Sequence, residues 1–168
     1  MIQVDNMRKP RTSLLAMMAC VTGLTVSIPG TSFAGLPRHD YCALNVETDA
    51  MSCFSTESGL QTAMSADVMR VRLGTWFDRV NMDPRGGYLI FFASRVCSHA
   101  NNDVDHSDSD LRDSDWNNRV SSLITAAGCD FRLYDGIDFT GHRTPWIDSS
   151  ANLGVYGMNN KASSYKIS

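Results

Sequence analysis

Asn117-Asn118-Arg119-Val120-Ser121-Ser122 recurs 42 positions later as Asn159-Asn160-Lys161-Ala162-Ser163-Ser164. Leu111 and Leu153 stand six residues ahead of the two copies. A period of about 40 residues is the length of one supersecondary unit and far exceeds helical or strand periodicity. The chain therefore duplicates a unit. Each unit carries a loop rich in neutral oxygen, from asparagine carbonyls and serine hydroxyls.

Working outward from the repeat, the flanking sequence reads as short strands and turns. Leu73–Phe77 and Tyr88–Ala93 are apolar strand candidates, separated by Asn81-Met82-Asp83-Pro84-Arg85-Gly86-Gly87. That stretch is strong turn chemistry, since Pro fixes φ and Gly permits positive φ. Residues 98–115 are polar and rich in Asp, which predicts an exposed loop with one short strand. Val120–Ala126 and Phe131–Tyr134 follow as strands, Asp135–Gly141 as a turn, His142–Ile147 as a return, and Ser163–Ile167 as a closing strand. Short strands in two sets point to an all-β sandwich. Ahead of them, Leu44 and Val46 alternate with polar residues between Cys42 and Cys53, which predicts a small hairpin. Leu60, Ala63, Met64 and Val68 fall on one helical stripe that Ser58 can cap. Packing is the reading for that stripe, rather than a cofactor site.

The first 34 of the 168 residues have a different character. Arg8, Lys9 and Arg11 precede a short apolar run from Leu14 to Val26, and Ser32-Phe33-Ala34 supplies small residues before Gly35. This is the layout of a secretory signal peptide. A membrane anchor needs about 20 apolar residues, and this run is broken by Thr and Gly. Too little apolar sequence precedes Cys20 for a lipoprotein signal. The expected organisation is a signal peptide over 1–34, a hairpin and short helix over 35–71, and the repeated domain over 72–168, in a secreted chain without a membrane span.

The segment before Gly35 holds three of the fifteen Lys and Arg and one of the eighteen Asp and Glu. The remainder therefore carries twelve basic and seventeen acidic residues, a net −5. That balance argues against nucleic acid as a partner, where a basic footprint is expected. Four cysteines remain, Cys42, Cys53, Cys97 and Cys129, and an even number in an exported chain reads as two disulfides. Three pairings are possible. Cys42 and Cys53 flank one hairpin, which pairs them and leaves Cys97 with Cys129. No C-x2-C or H-x3-H spacing supports zinc.

Tyr134-Asp135-Gly136-Ile137-Asp138-Phe139-Thr140-Gly141 resembles the first hairpin of a βγ-crystallin Greek key, with its aromatic, acidic residue and later Phe-x-Gly. Both Asn-Asn-x-x-Ser-Ser copies match that family's calcium motif, N/D-N/D-x-x-S/T-S, at every defined position. Trp116 before the first copy is also typical. The resemblance covers about residues 72–168 and implies two Greek keys forming a βγ-crystallin-like sandwich. Phe77–Gly87 departs from the pattern, being longer than Tyr134–Gly141 and lacking a clear Phe-x-Gly. Residues 42–72 resemble the extension of secreted actinobacterial proteins grouped with the Streptomyces metalloproteinase inhibitors of this fold. Those share a Cys-bounded hairpin followed by a helix.

The resemblance implies calcium bound at two sites, each between a hairpin of one key and the Asn/Ser loop of the other. It assigns backbone carbonyls of Arg119 and Lys161, with their side chains directed away, and the hydroxyls of Ser121 and Ser163. Asn117, Asn118, Asn159 and Asn160 supply side-chain oxygens or hold the loop, and backbone carbonyls near Asp78 and Asp135 complete each set. Ser122 and Ser164 fix the turn against the hairpin. Such oxygens suit a hard cation. With no carboxylate in the repeat, affinity is expected in the range of extracellular modules, about 0.1–1 mM.

Other signals stay at background. The run Asp103, Asp105, Asp108, Asp110, Asp113 and Asp115 lacks the Gly and Glu of an EF-hand and reads as a solvated loop. The histidines are scattered, with no H-E-x-x-H helix. No nucleophile elbow or phosphate loop is present, and nothing assembles an acid, a base and a nucleophile. The chain is expected not to be an enzyme. By resemblance its role is inhibition of a secreted metalloproteinase. A calcium-stabilised structural or stress protein of the cell envelope and a small secreted antimicrobial toxin are the alternatives.

Overall fold

A computed structural model describes residues 40–65, 70–98 and 103–168. The signal-peptide expectation lies outside the described residues. Among those described, no helix is long and apolar enough to cross a membrane.

Among the described residues nine strands form two sheets: β1 (Tyr41–Asn45), β2 (Ala50–Phe54), β3 (Val71–Phe77), β4 (Tyr88–Ala93), β5 (His106–Asp108), β6 (Ser122–Thr125), β7 (Phe131–Tyr134), β8 (Ser149–Ser150) and β9 (Ser164–Ile167). The larger sheet has the order β2-β1-β4-β3-β6-β8, and the smaller β5-β9-β7. Each Greek key gives up its third strand. β5 leaves the first key to pair with β9, and β8 leaves the second to pair with β6. The two halves are thereby interlocked.

β4 shows why the sheets stack. In Tyr88-Leu89-Ile90-Phe91-Phe92-Ala93 the alternate residues Leu89, Phe91 and Ala93 join the inner core. Tyr88 and Phe92 join an outer cluster instead. A continuous apolar run is what a strand buried on both faces requires. On the inner side Trp76 and Phe91 meet Phe131 and Tyr165 of the other sheet, with centroids 4.9–5.5 Å apart. Each such ring contributes about 1.5–3 kcal/mol by burial. Gly74 is required at this contact, because a Cβ there would sit 2.6 Å from the Phe131 ring.

On the outer side the helix α1 (Glu57–Ser65) seats Leu60 and Met64 against Phe77, Tyr88 and Phe92. Its cap is Thr56, whose Oγ1 accepts from Gly59 N at 3.2 Å, rather than the expected Ser58. Ala63 of the expected stripe is exposed, and Val68 lies outside the described residues. The β1–β2 hairpin extends the larger sheet because β1 pairs in parallel with β4. Disulfides Cys42–Cys53 and Cys97–Cys129 are formed.

Two strand expectations are corrected. The strand expected from Val120 starts at Ser122, because Asn118 adopts φ 54° and keeps the preceding residues in a turn. The return His142–Ile147 makes only isolated bridges, Tyr134 to Arg143 and Phe131 to Ile147. Pro145, between them, has no N–H to give to a ladder.

Candidate metal-binding site

The site is built from two hairpin corners and two repeated loops. In the second key Asp138 and Phe139 take positive φ, 53° and 59°, and fold Phe139 onto Tyr134 at 5.6 Å. Ser164 locks this corner: its Oγ donates to Gly136 O at 2.6 Å and accepts from Phe139 N at 3.2 Å. Gly141, at φ 75°, lies so close to the Asp135 carboxylate that a Cβ would collide with it. That carboxylate accepts from His142 N at 2.6 Å.

The first key repeats the arrangement despite its different sequence. Asn81 and Met82 take φ 63° and 51°. Ser122 Oγ donates to Arg79 O at 2.6 Å and accepts from Met82 N at 3.0 Å. Met82 thus stands where Phe139 stands in the second key. The extra length of this hairpin is wound into a separate 3-10 turn, Pro84–Gly86, whose cap Asp83 accepts from Arg85 N. The irregularity visible in the sequence leaves the corner intact.

The loops cross between the keys. Asn118 N donates to Ala162 O and Asn160 N to Val120 O, both at 2.9 Å. Leu111 N reaches Ser163 O and Leu153 N reaches Ser121 O, again both at 2.9 Å. Ser121 Oγ donates to Asn160 Oδ1 at 2.9 Å, and Ser163 Oγ to Asn118 Oδ1 at 3.4 Å. Ser121 N and Ser163 N are anchored to Phe77 O and Tyr134 O, each at 2.8 Å. Two pseudo-equivalent groups result. One gathers Ser121 and Asn160 beside Asp78, and the other gathers Ser163 and Asn118 beside Asp135.

Each serine hydroxyl spends its proton on an asparagine carbonyl and keeps its lone pairs. The donors are neutral oxygens, a set that fits a hard cation such as calcium. Among the described residues no cluster of three or more His, Cys, Asp or Glu is placed to hold a metal. One atom supports the fit directly: Asn117 Oδ1 is buried without a hydrogen-bond partner in the described structure. A buried acceptor left unpaired is costly and uncommon.

Arg119 and Lys161 differ in where their side chains lie. Lys161 is exposed, but the Arg119 side chain is only 4% exposed. It stacks on Trp116 with its guanidinium carbon 4.6 Å from the ring centroid. Its Nε lies 3.1 Å from Asp78 Oδ2, an ion pair angled too poorly to be a hydrogen bond. Its Nη2 pairs with Asp40 and donates to Gly86 O at 3.2 Å. The sequence carried a signal for this in Trp116 three residues earlier, a platform for a guanidinium.

The aspartate run serves local structure. Asp110 accepts from Arg112 N and its guanidinium, which holds its carboxyl down at about 2. Asp108 accepts from Asp110 N. His142 Nε2 is engaged by Tyr156 O.

No protein-family model matches the chain, and no curated protein matches it. Among solved structures it is similar to the N-terminal domain of protein S, at 18% identity over 58% of this chain and 96% of that one, with a TM-score of 0.42. A beta gamma crystallin from Ciona intestinalis matches at 25% identity over 55% and 95%, TM-score 0.40. A mutant βγ-crystallin domain from Clostridium beijerinckii matches at 20% identity over 58% and 97%, TM-score 0.43.

Proposed function

We propose that this chain is a secreted, non-catalytic calcium-binding module of the βγ-crystallin kind, stabilised in its folded form by the ion. The observation that carries the reading is the exchange across the repeat, in which Ser121 meets Asn160 and Ser163 meets Asn118. Neither loop presents a complete donor set alone, so an ion held there joins the two keys. Ser122 and Ser164 hold the hairpin corners to the loops, so a folded chain has the donors in place before the ion arrives. The carboxylates of Asp78 and Asp135 are engaged elsewhere, which leaves backbone carbonyls as their contribution. Neutral donors imply modest affinity, about 0.1–1 mM. At a tenfold excess over Kd, which is millimolar calcium, binding to the folded state alone adds about 1.4 kcal/mol. The melting temperature is therefore expected to rise in millimolar calcium and fall back with chelator. If the double substitution Ser121→Arg, Ser163→Arg leaves that response unchanged, the assignment is wrong.

Inhibition of a secreted metallopeptidase is a second reading, favoured by the N-terminal extension. The β1–β2 hairpin is closed by Cys42–Cys53 and built onto the edge of the larger sheet, a rigid presentation that lowers the entropic cost of docking. Residues 81–87 are wound into turns rather than extended, which directs attention to the extension. Incubation with a thermolysin-type enzyme tests it, and full peptidase activity at micromolar protein rules it out.

A further inference from the structure

We infer that the duplicated site takes one divalent cation rather than two. The half beside Asp135 receives the ion, and the Arg119 guanidinium serves as the resident cation of the half beside Asp78. This rests on the calcium reading above.

The two halves are related by the same backbone hydrogen bonds but not by the same chemistry. Position three of the first copy is Arg119, whose buried side chain turns to the first hairpin. There it supplies a positive charge to Asp78 and Asp40 and a donor to Gly86 O. These are the needs a bound cation meets elsewhere. A guanidinium is a fixed charge that need not be drawn from solution. Stacking on Trp116 holds it in place. Position three of the second copy, Lys161, is exposed; the cation at the second hairpin is Lys166, which sits over the Phe139 ring at 4.4 Å, and among the described residues Asp135 has no ion-pair partner. Asp135 is held by a backbone N–H instead.

The orphaned acceptor points the same way. Asn117 Oδ1 is buried and unpaired, while its counterpart Asn159 is exposed to water. Asn117 belongs to the loop whose next residue, Asn118, meets Ser163. Of the four repeated-loop asparagines, Asn117 alone has a carbonyl buried without a partner among the described residues, and it adjoins Asn118 of the Asp135 half. A cation arriving at the other half would face Arg119 nearby and gain no such acceptor.

Calorimetric titration of the disulfide-bonded chain with calcium chloride decides the matter. One equivalent is expected, lost in Ser163→Arg and retained in Ser121→Arg. Two equivalents in the unsubstituted chain overturn the inference while leaving the calcium reading standing. A single equivalent lost in Ser121→Arg but kept in Ser163→Arg also overturns it. Absence of both binding heat and a melting shift in millimolar calcium removes the calcium reading itself. Should an arginine variant fail to fold, a second pair of substitutions decides. Asn117→Asp adds a charged donor at the orphaned position and is expected to tighten binding about tenfold, with Asn159→Asp having little effect. The opposite ranking overturns the assignment.

Discussion

Tyr165 is 1% exposed and stands among Trp76, Phe91 and Phe131 at the meeting of the two sheets. Burial, and then the charges of Asp108 and Asp49, push its phenol well above the ordinary tyrosine range. The fold thus prefers the neutral form. A group whose value is raised on folding stabilises fully below its unfolded value, about 10, and loses that contribution as pH rises further. The denaturation midpoint is therefore expected to fall above pH ~10. In Tyr165→Phe that alkaline decline is expected to be shallower, and an unchanged decline would assign it to other groups. At the same scale the sequence was informative about Ser122 and Ser164, which lock the hairpin corners. It was less informative about Arg119: Trp116 offers a platform, but a lysine stands at the matching position and the partner Asp40 is 79 residues away.

Elements with strong local patterning were legible. Tyr88–Ala93 is the strand its apolar run predicts, and Cys42 to Cys53 span the hairpin their alternation predicts. Elements set by tertiary partners were less so. Ser122–Thr125 is shorter than its apolar run suggests, because Asn118 and its neighbours are committed to the crossed loop. Thr56 displaces Ser58 as the helix cap, a choice between adjacent hydroxyls that local sequence does not decide. The first hairpin lacks Phe-x-Gly yet makes the same corner, since Asn81 and Met82 adopt the positive φ that Asp138 and Phe139 adopt. The parallel pairing of β1 with β4 had no signal in the sequence. Parallel partners need no turn between them, so no turn residue announces them.

For the whole molecule, the exchange of β5 and β8 decides how the chain holds together. Each sheet is completed by a strand from the other key, so neither key closes its own sheet. The connection between the halves is the tight turn at Ala127 and Gly128, with φ 56° and 73°, where Gly128 is exposed. Cys97 and Cys129 lie on opposite sides of that turn and are bonded to each other. A protease site placed between Ala127 and Gly128 is therefore expected to yield two fragments that separate on a denaturing gel only after reduction. The near-ultraviolet circular dichroism of the cut protein is expected to match that of the intact chain, and its collapse would show that covalent continuity is needed. In assembly terms the domain is a fused dimer of two interlocked halves with a built-in staple. A protein of this build can suffer scission at an exposed junction and stay in one piece.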